Sequence, residues 1–512
     1  MTTREQQFDN KKLGIFVHWG PSCVPAFTPD VTRGAFEKVR EGTEAAGYPD
    51  VPDAMFYWYN MRQPGSITAA YHERTYGSEY PYERFVEEFA RRMETVSLDE
   101  IAETVRSSGA RYCNLTAMHH DGFRLWPSAV TTPGGTGASY QTGRDIVGEL
   151  RDLLVPHGVD MGLYLSGGYY WPWRMNTVNT LADTLTSVPG DEHMARFVTQ
   201  LWAEVSHRYA PYVLWNDIGL PAGTDVGALV ATFRAHRRDG VVNDRLYVYP
   251  QSAVLRALLK VPCVNRAVSW LINTLFPPTV LLPQPADADF AVLEEARIER
   301  SAPPPRRKWE STVVFGNSFG YCRQEDAERW MSTRALVATF VDVIVKGGNM
   351  LLNIGPDADG RVPTEQRATI AEFGDWVRHN AEAVFDTRVY TGDGITLLAV
   401  EPSYGNNTSD RCVAAVSAAP APVDDDDDDE QQSVFYIFLH MPIDGARYLL
   451  RSRAFAGHDG RWTAHVVGGG GVGVTQCHDD DELTISVPHW PPIDVAAGTG
   501  VVRMERTVCL LC

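Results

Sequence analysis

The chain is poor in pairable cysteine, in basic charge and in long apolar runs, and each shortage removes a class of function. Its eight cysteines are scattered, and the single close pair, Cys509 and Cys512, has no second pair to complete a tetrahedral site. Neither a zinc centre nor a disulfide framework is therefore signalled. Lys and Arg number 46 against 65 Asp and Glu, a net charge of −19. So acidic a chain offers no groove for nucleic acid and no patch for an anionic membrane, and a neutral substrate fits better. No apolar run approaches the roughly 20 residues of a membrane span. The opening residues Met1–Gln7 lack the apolar core of a secretory signal. The expectation is a reducing, cytoplasmic setting ahead of a secreted chain shorn of its signal. No internal repeat is visible.

What is present is an ordinary globular balance, 44% hydrophobic and 22% charged, over 512 residues. That length exceeds one simple core and predicts two domains. The stretch Tyr212–Asp217 is the most informative. Apolar, strand-forming residues run into Trp215, Asn216 and Asp217, and Gly219 and Pro221 then break the chain. A short apolar run bounded by turn residues reads as a buried parallel strand. An acid at its C-terminal end is either the cap of the next helix or a group at the mouth of an α/β barrel.

The same alternation extends in both directions. Strands are expected at Leu13–Val17, Arg111–Thr116, Asp160–Leu165, Gly240–Asn243, Trp309–Val314 and Asn349–Ile354. Helices are expected at Pro81–Arg92, Leu98–Ser108, Asp145–Val155, Met194–Tyr209, Leu229–Arg237 and Glu365–Asn380. Seven strands alternating with helices predict a TIM-type (β/α)8-like barrel over residues 1–386, with one strand weak or missing. Residues 250–308 are rich in Pro and poor in periodicity, and read as a long loop over the barrel mouth. From 387 to 512 the segments Ile395–Val400, Ser433–Leu439 and Leu483–Val487 are β-rich without helical period, the pattern of an all-β sandwich. Inside it, Asp424–Glu430 is almost pure acid, which reads as a disordered loop near 422–432 because calcium loops interleave turn residues with their ligands.

The strand assignment places His18, His119, His120, Tyr164, Trp215, Asp217, Arg245 and Glu310 on one rim. A histidine at a strand end is more often structural than functional. Three of them interleaved with Trp and Tyr suit a sugar, which needs partners for its hydroxyls and an apolar wall for its ring face. His119 and His120 are adjacent, so both can face one ligand only if the strand has ended before them. A metal hydrolase using the three histidines and Asp121 is the other chemistry these residues could support. The adjacent pair lacks the i, i+4 spacing of a helical zinc motif, and no cofactor or metal is implied.

Several segments resemble the α-L-fucosidases, glycoside hydrolase family 29. Leu13-Gly-Ile-Phe-Val-His-Trp-Gly20 is similar to that family's opening strand, and Met118-His-His-Asp-Gly-Phe123 to its second signature. Arg144–Glu149, Gly162–Ser166, Val242–Arg245, Lys308-Trp-Glu310 with Phe319-Gly-Tyr321, and Lys346–Pro356 with Asp359-Gly-Arg361 follow in the same order. The resemblance implies a retaining exo-glycosidase that removes terminal α-L-fucose from a fucosylated oligosaccharide or glycoconjugate. It implies that Asp217 is the nucleophile, kept ionised by Arg245 and the histidines. It also implies an acid/base on the loop Asp289–Glu295, where Glu294 is preferred and Glu295 and Glu310 are rivals. His18, His119, His120, Tyr164, Trp215 and Arg245 are then the sugar ligands. In one respect the chain departs. Met55-Phe56 stands before Tyr57-Trp-Tyr59 where the family usually has a Glu-Trp pair, which leaves open a related L-sugar as substrate, or a sugar-binding relative without catalysis.

Overall fold

The structure is a computed structural model. It describes all residues except 1–2, 30–49, 134–139, 175–177, 179, 185, 249–252, 276–284, 295–307, 326, 329, 390–395, 402–412, 419–433, 441–445, 452–459, 469–472, 477–481, 498 and 509–512. The acidic run Asp424–Glu430 and Glu295 therefore lie outside the described residues. Among those described, no helix is long and apolar enough to cross a membrane.

Among the described residues, eight parallel strands organise the first part of the chain: β1 (Leu13–Val17), β2 (Tyr112–Met118), β3 (Asp160–Ser166), β4 (Val213–Asp217), β5 (Val241–Val242), β6 (Ala291–Glu294), β7 (Trp309–Val313) and β8 (Gly348–Ile354). Their order in the sheet is β5-β4-β3-β2-β1-β8-β7-β6. The two outer strands meet where Asn243 bridges Phe290 in parallel and the Asp289 amide donates to the Val242 carbonyl at 2.9 Å. The curled sheet thus comes round on itself as a barrel, with β5–β6 as its thinnest seam.

Strand alternation sorts the side chains into two cores. Phe16, Tyr112, Tyr164, Trp215, Phe290 and Leu351 pack with one another in the barrel's interior. Ile15, Cys113, Leu163, Leu214, Met350 and Leu352 instead join the larger cluster beneath the surrounding helices. The N-terminal helix Arg4–Lys11 plugs the floor of the barrel. Its Phe8 ring lies 4.5 Å from that of Phe290, and its Asp9 carboxylate accepts from Lys308 Nζ at 2.6 Å and Lys12 Nζ at 2.9 Å.

The six expected helices are all present, with ends shifted by three residues at most, whereas Ile67–Tyr76 and Thr333–Val345 are helices beyond those expected. Helix Glu192–Tyr209 is capped by Asp191 and helix Ile146–Leu154 by Asp145. Helix Val226–His236, the one after β4, is capped by Asp225, whose carboxylate accepts from the Ala228 amide at 2.9 Å. Asp217 is consequently not that helix's cap. Residues 250–308 depart from the expected structureless loop. They contain helices Ala253–Leu259 and Pro262–Leu275 and also supply β6, the eighth strand. Pro262 opens the second helix at a position where its missing N–H is no loss, and four residues of β6 are too few to display alternation.

From Thr387 onward, the described residues include nine antiparallel strands that form a four-stranded and a five-stranded sheet, a sandwich architecture. Their inner residues Ile437, Leu450, Ile485 and Val502 make a separate small core. The opposite face of the larger sheet turns Tyr436, Phe438 and Val501 into the main core beside Phe373 and Trp376 of helix Thr364–His379. Trp376 is fully buried there and donates from Nε1 to the Thr499 carbonyl at 2.8 Å. Trp376→Ala should therefore cost about 3–5 kcal/mol, as large buried aromatic truncations do. Urea unfolding checks this, and a loss below about 0.5 kcal/mol, the range of surface substitutions, would show that the two parts do not share this core.

Candidate active site

The rim is built from strand ends. β4 carries Trp215 and Asp217 on its interior-facing phase, and the chain turns sharply just after them. Ile218 has φ +58°, a left-handed conformation that a β-branched residue rarely adopts. That turn brings the Ile218 amide back onto Asp217 Oδ1 at 2.8 Å. Arg245 Nη1 donates to the same oxygen at 2.6 Å, and Tyr164 Oη, from β3, donates to Oδ2 at 2.7 Å. Asp217 is 8% exposed, so these three donors replace most of its water. The arrangement suits an ionised carboxylate with one oxygen held twice and the other held once.

Three buried histidines flank it. His18 follows β1 directly, and its Nδ1 lies 2.5 Å from Asn353 Oδ1. The Asn353 amide nitrogen is committed to the Phe319 carbonyl at 2.7 Å, so its oxygen faces His18 and Nδ1 must carry the proton. His120 Nδ1 lies 2.7 Å from Ser166 Oγ, which itself donates to the Tyr169 carbonyl. His120 Nδ1 is therefore the donor. In both rings Nε2 is left as an acceptor. Burial pushes the His18 pKa down to about 4 and the His120 pKa down to about 3, His120 also feeling His18 and Arg245. The 3.7 Å approach of His120 Nε2 to Asp217 Oδ2 is thus a contact with a neutral ring and not an ion pair. His119, also held neutral by burial, stacks on Tyr164 at 5.6 Å, and its Nδ1 has no hydrogen-bond partner among the described residues. β2 ends at Met118 after a register irregularity between Thr116 and Met118, which is what frees adjacent histidines to serve one site.

Aromatic rings complete the walls. Trp215 stacks on Tyr164 with centroids 5.4 Å apart, and the Arg245 guanidinium lies 5.2 Å over the Trp215 ring. Phe319 lies 4.8 Å from His18. Phe56 meets His120 at 5.4 Å and Trp171 at 5.5 Å, edge to face. Met55 is buried instead of facing the rings, accepting from Ser22 Oγ at its sulfur and packing against Gly320. Asp53 fixes that loop by accepting from the Met55 amide at 3.0 Å and Ser318 Oγ at 3.0 Å.

Glu310 is brought to the interior, not to the rim. It is wholly buried on β7 and accepts from Tyr112 Oη at 2.5 Å and Trp215 Nε1 at 3.1 Å. Burial pushes its pKa up to about 7 against the pull of those donors and of Lys308. Glu294 is the last residue of β6, in register with Thr312 of β7 and at the same end of the barrel as Asp217. Ser166, Asn353, Phe319 and Trp171 were not among the expected site residues. Ser166 and Asn353 could have been found by phase, since each stands two residues beyond an interior position, Tyr164 and Leu351. Trp171 carried no signal beyond an aromatic-rich segment. Among the described residues no group of three His, Cys, Asp or Glu could hold a metal ion.

The family model described as α-L-fucosidase matches residues 2–382. The chain is 26% identical over 399 residues to the α-L-fucosidase of Dictyostelium discoideum, covering 76% of this chain and 73% of that one. It is 26% identical over 398 residues to the plasma α-L-fucosidase of Rattus norvegicus, covering 76% and 72%. The structure is similar to the Thermotoga maritima α-fucosidase in complex with a mechanism-based inhibitor, with TM-score 0.73 and 25% identity over 98% of this chain and 97% of that one. With fucose bound, that protein gives TM-score 0.71 over 98% and 96%.

The tautomers are open to direct test. With labelled histidine, long-range 1H–15N spectra should show His18 and His120 with protonated Nδ1 and unprotonated Nε2, and no titration from pH 8 down to pH 5, because both pKa values lie below that range. A cationic His120 at pH 6 would contradict the site's electrostatics.

Proposed function

The chain belongs to the α-L-fucosidase family, and on that premise we propose how its residues divide the work of hydrolysing a terminal α-L-fucosyl linkage. Asp217 is the nucleophile. What carries this reading is the carboxylate itself, held by Tyr164, Arg245 and the Ile218 amide at the end of β4. Oδ2, with a single neutral donor, is the freer oxygen and the one that attacks the anomeric carbon. The bond to the aglycone oxygen breaks as that oxygen takes a proton from Glu294, leaving a β-linked fucosyl ester on Asp217. Water, giving its proton back to Glu294, then displaces the ester with a second inversion, so α-L-fucose is released.

Glu294 is supported by its place. Positions 290, 292 and 294 alternate with 291 and 293, and Phe290 is interior. Glu310 is a poor rival because both its oxygens are engaged by ring donors in a dry interior. The histidines supply hydroxyl partners: Nε2 of His18 and His120 as acceptors, and His119 through its unpartnered Nδ1. Trp215 and Phe319 cover the apolar face. Where the family usually carries Glu-Trp, Phe56 offers only a ring edge and Met55 is buried. That favours weaker retention of free fucose, and a related L-sugar altered at the hydroxyls on that side as a second acceptable substrate. We place the catalytic domain at 1–386, with 387–512 as its β-sandwich companion.

Asp217→Gly should abolish turnover of an aryl α-L-fucoside, and azide, a small anion able to take the vacated place, should restore it and yield β-fucosyl azide. An α-configured product, or an undiminished rate, would sink the assignment. For Glu294→Ala the loss should be severe with a poor leaving group and slight with 4-nitrophenol, which departs with little protonation. If Glu295→Ala shows that dependence instead, the proton comes from the neighbouring residue.

A further inference from the structure

Glu310 is an expensive residue to keep. A carboxyl group with no exposed surface must be justified by the partners that need it. Those partners are Tyr112, whose hydroxyl donates to Oε2, and Trp215, whose indole N–H donates to Oε1. The space for Tyr112 is itself provided for: a side chain at Gly14 would lie 2.4 Å from the Tyr112 ring. The neighbouring Lys308 is anchored lower down by Asp9, Asn349 and the Gly347 carbonyl. A braced polar column therefore rises through the barrel from its floor and ends at the underside of one ring, Trp215.

That ring bears the site. The Arg245 guanidinium rests over its face at 5.2 Å, and Tyr164 stacks on it at 5.4 Å with 23° between the planes. Among the described residues, Arg245 and Tyr164 are the two side chains that donate to Asp217, one to each oxygen. We propose that Glu310 is a positioning residue for the fucosidase reaction: by fixing the Trp215 indole from below it sets the plane on which both side-chain donors to Asp217 rest. Glu310 does not reach the sugar. It acts through Trp215, and its removal lets the indole tilt and carries Arg245, Tyr164 and the attacking oxygen with it. This rests on the reading of Asp217 as nucleophile.

The test compares Glu310→Leu and Glu310→Gln in the full chain. The amide of Gln can accept from Trp215 Nε1 and donate to the Tyr112 oxygen, so it keeps the brace without the charge; Leu removes it. For folded protein, matched to wild type by circular dichroism and size exclusion, Glu310→Leu should lower kcat by about 10- to 100-fold, the penalty of a small misplacement of a reacting group. The factor should be the same for 4-nitrophenyl and poorer-leaving α-L-fucosides, with KM moved much less, and Glu310→Gln should recover most of the rate. The indole N–H resonance of Trp215, identified by its disappearance in Trp215→Phe, should move in Glu310→Leu and stay near its wild-type position in Glu310→Gln. A loss that grows as the leaving group worsens would overturn the proposal by making Glu310 the proton donor. Unchanged kcat in folded Glu310→Leu would overturn it by leaving the residue a structural role alone. An unmoved indole resonance would do the same by showing no brace. Retained activity in Asp217→Gly would overturn the nucleophile assignment instead, and the resonance would still report whether Glu310 holds Trp215.

Discussion

The Asp217 carboxylate is where the barrel's polar contacts converge. Taking a carboxylate out of water is unfavourable by several kcal/mol unless fixed donors replace the lost solvent. Here they come from three separate elements: Tyr164 on β3, Arg245 beyond β5 and the strained turn at Ile218. None of the three can be supplied by neighbours in sequence alone, save the backbone amide. Delivering them to one point needs β3, β4 and β5 as parallel neighbours, which is how they lie in the sheet. The carboxylate also explains the neutral histidines. A cationic ring 3.7 Å from Oδ2 would compete for the charge that attack on the sugar requires, and burial keeps His120 from becoming one.

The barrel's interior is less oily than its strands suggest. Along β1, β2 and β3 the outward residues are uniformly apolar, whereas the inward ones include Tyr112, Asn114, Tyr164 and Ser166. Polar groups held in a dry interior interact strongly and reorganise little, which is the physical setting electrostatic catalysis needs. The same interior ties the floor of the barrel to its mouth. Asp9, Lys308 and Asn349 are hydrogen-bonded at one end, Glu310 and Trp215 at the other. The C-terminal sheets stand apart from this column and contribute instead through Trp376 and the shared core.

Much of this was legible in the residues. Apolar runs ending in His18, in Met118-His119-His120 and in Trp215-Asn216-Asp217 marked strand ends, and their alternation with amphipathic helices marked the barrel. The sites of failure have physical causes. β6 has four residues and no visible alternation, so in the sequence Ala291–Glu294 reads as loop. Helix Pro262–Leu275 leaves Trp270 and Leu271 exposed, which blurs the apolar face that periodicity relies on. Glu310 is the second residue of the strand Trp309–Val313, three residues short of its C-terminal end, so the strand and the Trp215 indole above it put the carboxyl inside the barrel and not on the rim. Asn353 and Ser166 orient the histidines through single hydrogen bonds, an effect no local pattern announces. Met55 and Phe56 could be seen to depart from the family's usual pair, while which of them meets the site depended on the turn that Asp53 fixes.

The central claim is that one oxygen of Asp217 forms a bond to the sugar. A slow fluorinated α-L-fucosyl substrate, which lets the ester form faster than water removes it, tests this most directly. Mass spectrometry of the digested protein should find the added fluorofucosyl group on the peptide containing Asp217. The label should be absent when that residue is replaced by Gly, and NMR of the intact labelled peptide should show the sugar β-linked through its ester. A label on any other carboxylate, or rapid turnover with no labelled peptide and an inverted product, would contradict the account.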